Sequence, residues 1–104
     1  MNSHRLDQLK KYYEEDPNDP FIIYGLAMEY WKTDKVTARH YFELLISRFP
    51  DYLPTYYQLA HLYEELDEDH LAEDTYKSGI EVAQAQQNIN TERELKTALE
   101  LLMF

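Results

Sequence analysis

Ile23, Leu26, Ala27 and Tyr30 fall at i, i+3, i+4 and i+7, and Tyr56, Leu59, Ala60 and Tyr63 repeat that spacing. Each set marks one apolar face of a helix. A small alanine sits in the middle of both stripes, where it lets a neighbouring helix approach closely. A second helix follows each stripe, marked by Ala38, Phe42 and Leu45 and then by Ala72, Tyr76 and Gly79. Polar residues punctuate the pattern. Asp19 followed by Pro20 reads as an N-cap with proline at the first helical position. Asp34 can cap the next helix, and Asp67 stands where a turn needs a left-handed residue, a conformation Asp tolerates better than most. Thr91 and Glu94 have capping-box spacing, and Pro17 and Pro50 close the helices before them. The pattern predicts six helices, over 4–15, 20–32, 35–48, 53–66, 69–87 and 92–103.

The pattern also repeats. A shift of 33 pairs Ile23 with Tyr56, Tyr24 with Tyr57, Leu26 with Leu59, Ala27 with Ala60 and Tyr30 with Tyr63. Further on, a shift of 34 pairs Ala38 with Ala72, Phe42 with Tyr76 and Ile46 with Ile80, so one residue is missing between Tyr30 and Ala38. Leu9, Tyr12 and Pro17 match Phe42, Leu45 and Pro50, which places half a copy ahead of the first whole one.

Quoted as it stands, the pattern is Ile23-x2-Leu26-Ala27-x2-Tyr30, Ala38-x3-Phe42 and Pro50, then Tyr56-x2-Leu59-Ala60-x2-Tyr63 and Ala72-x3-Tyr76. It resembles the tetratricopeptide repeat over roughly residues 5 to 90. Gln84 stands where a second closing proline belongs, and neither copy has the usual turn glycine. The resemblance implies an all-α, right-handed superhelical stack of antiparallel helix pairs. It comprises a half repeat (4–17), repeat one (19–50), repeat two (53–87) and a C-terminal capping helix (91–103), in a single domain. It also implies that the first helices of successive repeats line a concave surface. On that surface the expected groove residues are Phe21, Tyr24, Met28 and Trp31, then Tyr57, His61 and Glu64, with Pro54 and Glu65 on the same stripe. Phe21 and Trp31 admit a second assignment, to the packing of a very small core. Relatives that grip a peptide's terminal carboxylate use Lys, Arg and Asn on this surface. The corresponding places here hold Tyr24, Met28 and His61, so that clamp is absent.

Composition narrows the function. The chain has no cysteine, which removes disulfides, thiolate catalysis and cysteine–zinc sites. A net charge of −10 repels phosphate backbones, so nucleic acid is not an expected partner. The polar start, Met1 to Lys11, does not read as a secretory signal, and no apolar run reaches the ~20 residues of a membrane span. The expected setting is the cytoplasm. No glycine-rich phosphate loop occurs. His61 with Glu65, and His70 with Asp74, have ligand-like i, i+4 spacing, but two ligands make a weak site and no metal or other cofactor is expected. No matched nucleophile and base appear, so the chain does not read as an enzyme.

Two roles remain. One is an adaptor that holds a peptide or helix of a protein partner in the concave groove. The other is a self-assembling, homodimeric module. Between Arg48 and Lys77 there is no Lys or Arg, while seven acidic residues crowd 64–74. That corner either keeps the protein in solution or steers a basic partner. Leu95, Ala98, Leu99 and Leu102 form a stripe that seals the stack. The closing run Leu101 to Phe104 exceeds what one helix face can bury, which suits either a frayed end or a patch pairing two copies.

Overall fold

The computed structural model describes residues 3–104 and holds six α-helices: α1 (Ser3–Glu15), α2 (Pro20–Trp31), α3 (Lys35–Arg48), α4 (Pro54–Glu65), α5 (Asp69–Ala85) and α6 (Ile89–Met103). No strand occurs among the described residues. The chain divides into two compact units between Tyr52 and Leu53, so α1–α3 belong to one and α4–α6 to the other.

In the N-terminal unit α2 packs against α3, and α1 against α2. Ile23, Leu26 and Ala27 are fully buried, as are Ala38, Phe42 and Leu45 from α3. An aromatic cluster joins the three helices. Tyr30 stacks on Tyr41 at 5.6 Å, Tyr13 meets Tyr41 edge-on at 6.1 Å, and the Lys10 ammonium lies 5.7 Å over the Tyr30 ring. Burial raises the Tyr41 phenol above its ordinary value, with a further push from Tyr30 and Tyr13.

In the C-terminal unit α5 packs against both α4 and α6. Tyr56, Leu59, Ala60, Leu62 and Tyr63 of α4 are buried, as is a stripe of Ala72, Tyr76, Gly79 and Ala83 on α5. Leu95 and Ala98 of α6 are buried, while Leu99 and Leu102 are half-buried. A Cβ placed on Gly79 would lie 2.6 Å from Tyr56 Cβ and 3.1 Å from Leu95 Cδ1. Glycine is required there because side chains from both neighbouring helices occupy the space.

The helix ends explain the missing residue. After α4, the Glu68 N–H donates to Tyr63 O (2.8 Å) and the Asp67 N–H to Glu64 O (3.1 Å), with Asp67 left-handed at φ 59°. This is the Schellman closure, and Asp67 fills the usual glycine position. After α5 the same closure recurs with Gln87 at φ 57°: the Asn88 N–H donates to Ala83 O (2.9 Å) and the Gln87 N–H to Gln84 O (3.0 Å). The turn after α2 is built differently. There the Asp34 N–H donates to Tyr30 O (2.6 Å) and no residue turns left-handed, so one residue fewer suffices.

Asp19 and Asp34 cap as expected. Asp19 accepts from the Phe21 N–H at 2.9 Å, and Asp34 accepts from the Thr37 N–H at 3.1 Å and its hydroxyl at 2.6 Å. These Thr37 bonds lower the Asp34 carboxyl below its ordinary value. The last helix corrects the sequence expectation. It starts at Ile89 rather than 92, and its cap is Asn88, whose side chain accepts from the Thr91 N–H at 3.0 Å, so Thr91 is inside the helix. The left-handed Gln87 ends α5 at Ala85 rather than 87 and frees Asn88 to open α6.

Two expectations follow. Gly79→Ala should destabilise the protein by about 1–3 kcal/mol, because the clash with Tyr56 outweighs the gain in helix propensity. Gly25→Ala should stay within about 0.5 kcal/mol, since its new Cβ meets the Leu9 side chain, nearest at the Cδ2 methyl at 3.1 Å, and helix propensity offsets the small shift required. Parallel thermal melts check the contrast, and equal losses would contradict it. Gln87→Gly should stabilise by about 0.5–1 kcal/mol by relieving a left-handed glutamine, and Asp67→Gly by less. Urea midpoints read this difference.

Candidate functional site

The expected groove residues fall into the two units. In the N-terminal unit, Phe21, Tyr24, Met28 and Trp31 follow one face of α2. Phe21 is 69% exposed, and the other three are half-buried. Tyr24 and Trp31 both meet Phe42 edge-on, at 6.1 and 5.9 Å, and Tyr24 also meets Tyr52 at 5.9 Å. Burial, and then the neighbouring Tyr24, raises the Tyr52 phenol. Tyr24 and Trp31 therefore pack within their own unit while keeping part of each ring in solvent, and Phe21 stands out from the face.

In the C-terminal unit, Tyr57, His61 and Glu64 come together at i, i+4 and i+7 on α4, where they form one wall of a groove of about 380 Å³. The opposite wall is α6, with Arg93, Glu94, Thr97, Ala98 and Leu101 at i, i+1, i+4, i+5 and i+8. The groove is open to solvent and lined largely by apolar surface. Leu101 is 78% exposed, so its side chain is available at the mouth.

The chemistry centres on Glu64. The Tyr76 hydroxyl, coming from α5, donates to Glu64 Oε2 at 2.5 Å. His61 Nδ1 lies 3.7 Å from the same oxygen. The His61 ring is wedged edge-on between Tyr57, at 4.5 Å, and Tyr76, at 5.9 Å. Burial, then the bond to Glu64 and its charge, pushes the Tyr76 phenol far above its ordinary value. The raised phenol keeps Tyr76 in the role of donor to Glu64. Glu64 is thus fixed from below, with its side chain 32% exposed toward the groove.

Charges on the two walls are unevenly matched. The C-terminal unit has three Lys or Arg residues: Lys77, Arg93 and Lys96. Lys77 sits on Glu73 at 2.7 Å and Lys96 on Glu92 at 2.8 Å, which lowers both carboxyls and raises the Lys77 amine. Arg93 lines the groove and makes no ion pair with any described residue. His61 Nδ1 comes closest to Glu64, at i+3, which differs from the i+4 spacing to Glu65 noted in the sequence. No three metal-ligating side chains gather among the described residues, and no described helix is long and apolar enough to cross a membrane.

The α6 wall is the part that sequence reasoning missed. Its stripe of Leu95, Ala98, Leu99 and Leu102 was legible as a seal. The adjacent stripe, 93-94-97-98-101, carries the same helical period, but it mixes charged, polar and apolar types and so gives no amphipathic signal.

No protein-family model and no curated protein sequence matches the chain. Solved structures do. A solution NMR structure of a tetratricopeptide repeat domain protein from Salinibacter ruber is 44% identical, with a TM-score of 0.80, over 84% of this chain and 89% of that one. A crystal structure of a tetratricopeptide repeat domain protein from the same organism is 42% identical, with a TM-score of 0.78, over 82% of this chain and 97% of that one. The crystal structure of MamA protein is 23% identical, with a TM-score of 0.68, over 94% of this chain and 56% of that one, and shares the fold.

Tyr76→Phe should cost about 1–2 kcal/mol by removing a donor to a charged acceptor while conserving shape. It should also free Glu64, seen as new side-chain exchange in NMR spectra. An unchanged melt with an unchanged Glu64 resonance would show the bond to be idle.

Proposed function

The chain belongs to the tetratricopeptide repeat domain proteins, and from that premise we propose that its task is to hold a segment of another protein. Stacked repeats of this class bury a core between neighbouring helices and leave an extended surface for binding. The observation that carries the reading is the α4–α6 groove, where an apolar floor, one fixed carboxylate and one uncommitted guanidinium face the same space. Such a mixture suits a peptide or helix, which offers side chains for the apolar part and polar groups for the rim. The exposed part of the α2 face, from Phe21 to Trp31, is a second contact area on the same reading. The role is that of a cytoplasmic adaptor, without catalysis and without a cofactor.

Self-association is a second reading, favoured by the exposure of Leu101, Met103 and Phe104, the last fully exposed. A photo-crosslinking residue in place of Thr97, used in native cells or lysate, separates the two. A discrete adduct with another protein, lost in a Thr97-probe chain that also carries Leu101→Asp, is expected for the adaptor. An adduct at twice the chain mass would assign the surface to self-association instead. Leu101→Asp itself should leave stability within about 0.5 kcal/mol, because the side chain is already exposed.

A further inference from the structure

From Leu53 onward the chain carries eleven Asp and Glu against three Lys and Arg, whereas the part up to Tyr52 carries nine against seven. Acidity is therefore a property of the unit that owns the groove. Within that unit Lys77 and Lys96 are each occupied by a carboxylate of their own helix, and neither lines the groove. Glu64 and Glu94 face it with Arg93 as the one Lys or Arg among the lining residues, and with the His61 imidazole 3.7 Å from Glu64.

Glu64 differs from an ordinary surface carboxylate. Tyr76 holds it at 2.5 Å, so a cation arriving in the groove finds its partner already oriented. Most exposed ion pairs contribute little because two long side chains must be ordered to make them. Here one side of that cost is met by the fold. Beside the carboxylate lie the Tyr57 ring, Ala98 and Leu101, a surface suited to the methylene stem of a long cationic side chain.

Resting on the protein-binding reading above, we infer that the α4–α6 groove selects a basic segment of its partner and seats one Lys or Arg, with its stem against Tyr57 and Leu101 and its charge on Glu64. Charge complementarity disfavours the other occupants. A second copy carries the same net −10, and nucleic acid presents phosphates to Glu64 and Glu94. Arg93 opposes the incoming cation and so limits affinity.

The test is selection of a randomised short-peptide library on the full chain, followed by calorimetry of the recovered peptides. The expected consensus contains Lys or Arg. Its affinity should fall about tenfold for Glu64→Gln, stay unchanged for Glu81→Gln, and rise about threefold for Arg93→Gln. Glu81 is exposed on α5 outside the groove, so its variant makes the same change in net charge as Glu64→Gln. Equal losses in the Glu64 and Glu81 variants would overturn the inference, leaving only the overall field of the protein. Neutral or acidic consensus peptides that still shift the Tyr57 and Leu101 resonances would overturn the basic chemistry and keep the groove as a peptide site. Concentration-dependent shifts of those resonances without peptide would overturn it in favour of a second copy. Recovery of no peptide that touches the groove would remove both the inference and the protein-binding reading beneath it.

Discussion

Gly79 has no side chain because Tyr56 and Leu95 already occupy its place. This one constraint sets how closely α4 and α6 can each approach α5, and with it the distance between the groove walls. Tyr56 enters from α4 and Leu95 from α6, so a methyl group at position 79 would push against both. Interiors are packed too densely to absorb such a displacement locally. The wall residues Tyr57 and Glu94 are sequence neighbours of Tyr56 and Leu95. The site is therefore placed by the same contact that closes the core.

The second constraint is electrostatic. Tyr76 lies with the buried stripe of α5, yet its hydroxyl ends on Glu64 at the edge of the groove. A phenol in that position must have an acceptor or remain as a buried donor without one. The groove carboxylate meets that need, so a residue of the core and a residue of the surface depend on one another. In the first repeat the equivalent aromatic is Phe42, which has no hydroxyl and is met by ring edges from Tyr24 and Trp31. The two units solve the same packing problem, one with hydrocarbon and the other with a hydrogen bond. That difference gives the C-terminal unit its more polar face.

Much of the architecture was legible because its signals are local and periodic. Ile23, Leu26, Ala27 and Tyr30 and their second-repeat partners announce both the helix and the family, and all but the half-buried Tyr30 are buried. Asp19 and Asp34 declare their caps within three residues. The start of α6 was misread since Thr91 and Glu94 imitate a capping box. The real cap, Asn88, becomes available only after Gln87 turns left-handed, a conformation that glutamine does not advertise. Within the site, Tyr57, His61 and Glu64 were accessible from the repeat register. Arg93 and Leu101 were not, because their role depends on how α6 leans on α5. The Tyr76–Glu64 bond was equally hidden, being a contact between helices rather than a feature of either.

The single tryptophan has a practical consequence of its own. Trp31 lies in the N-terminal unit against Phe42, and no other indole exists in the chain. Intrinsic emission at long wavelength therefore watches one half of the molecule. Cooperative units in a repeat protein can open with different free energies. A melt followed by indole fluorescence and one followed by helical circular dichroism need not coincide, and any gap between them measures how independently the two halves come apart.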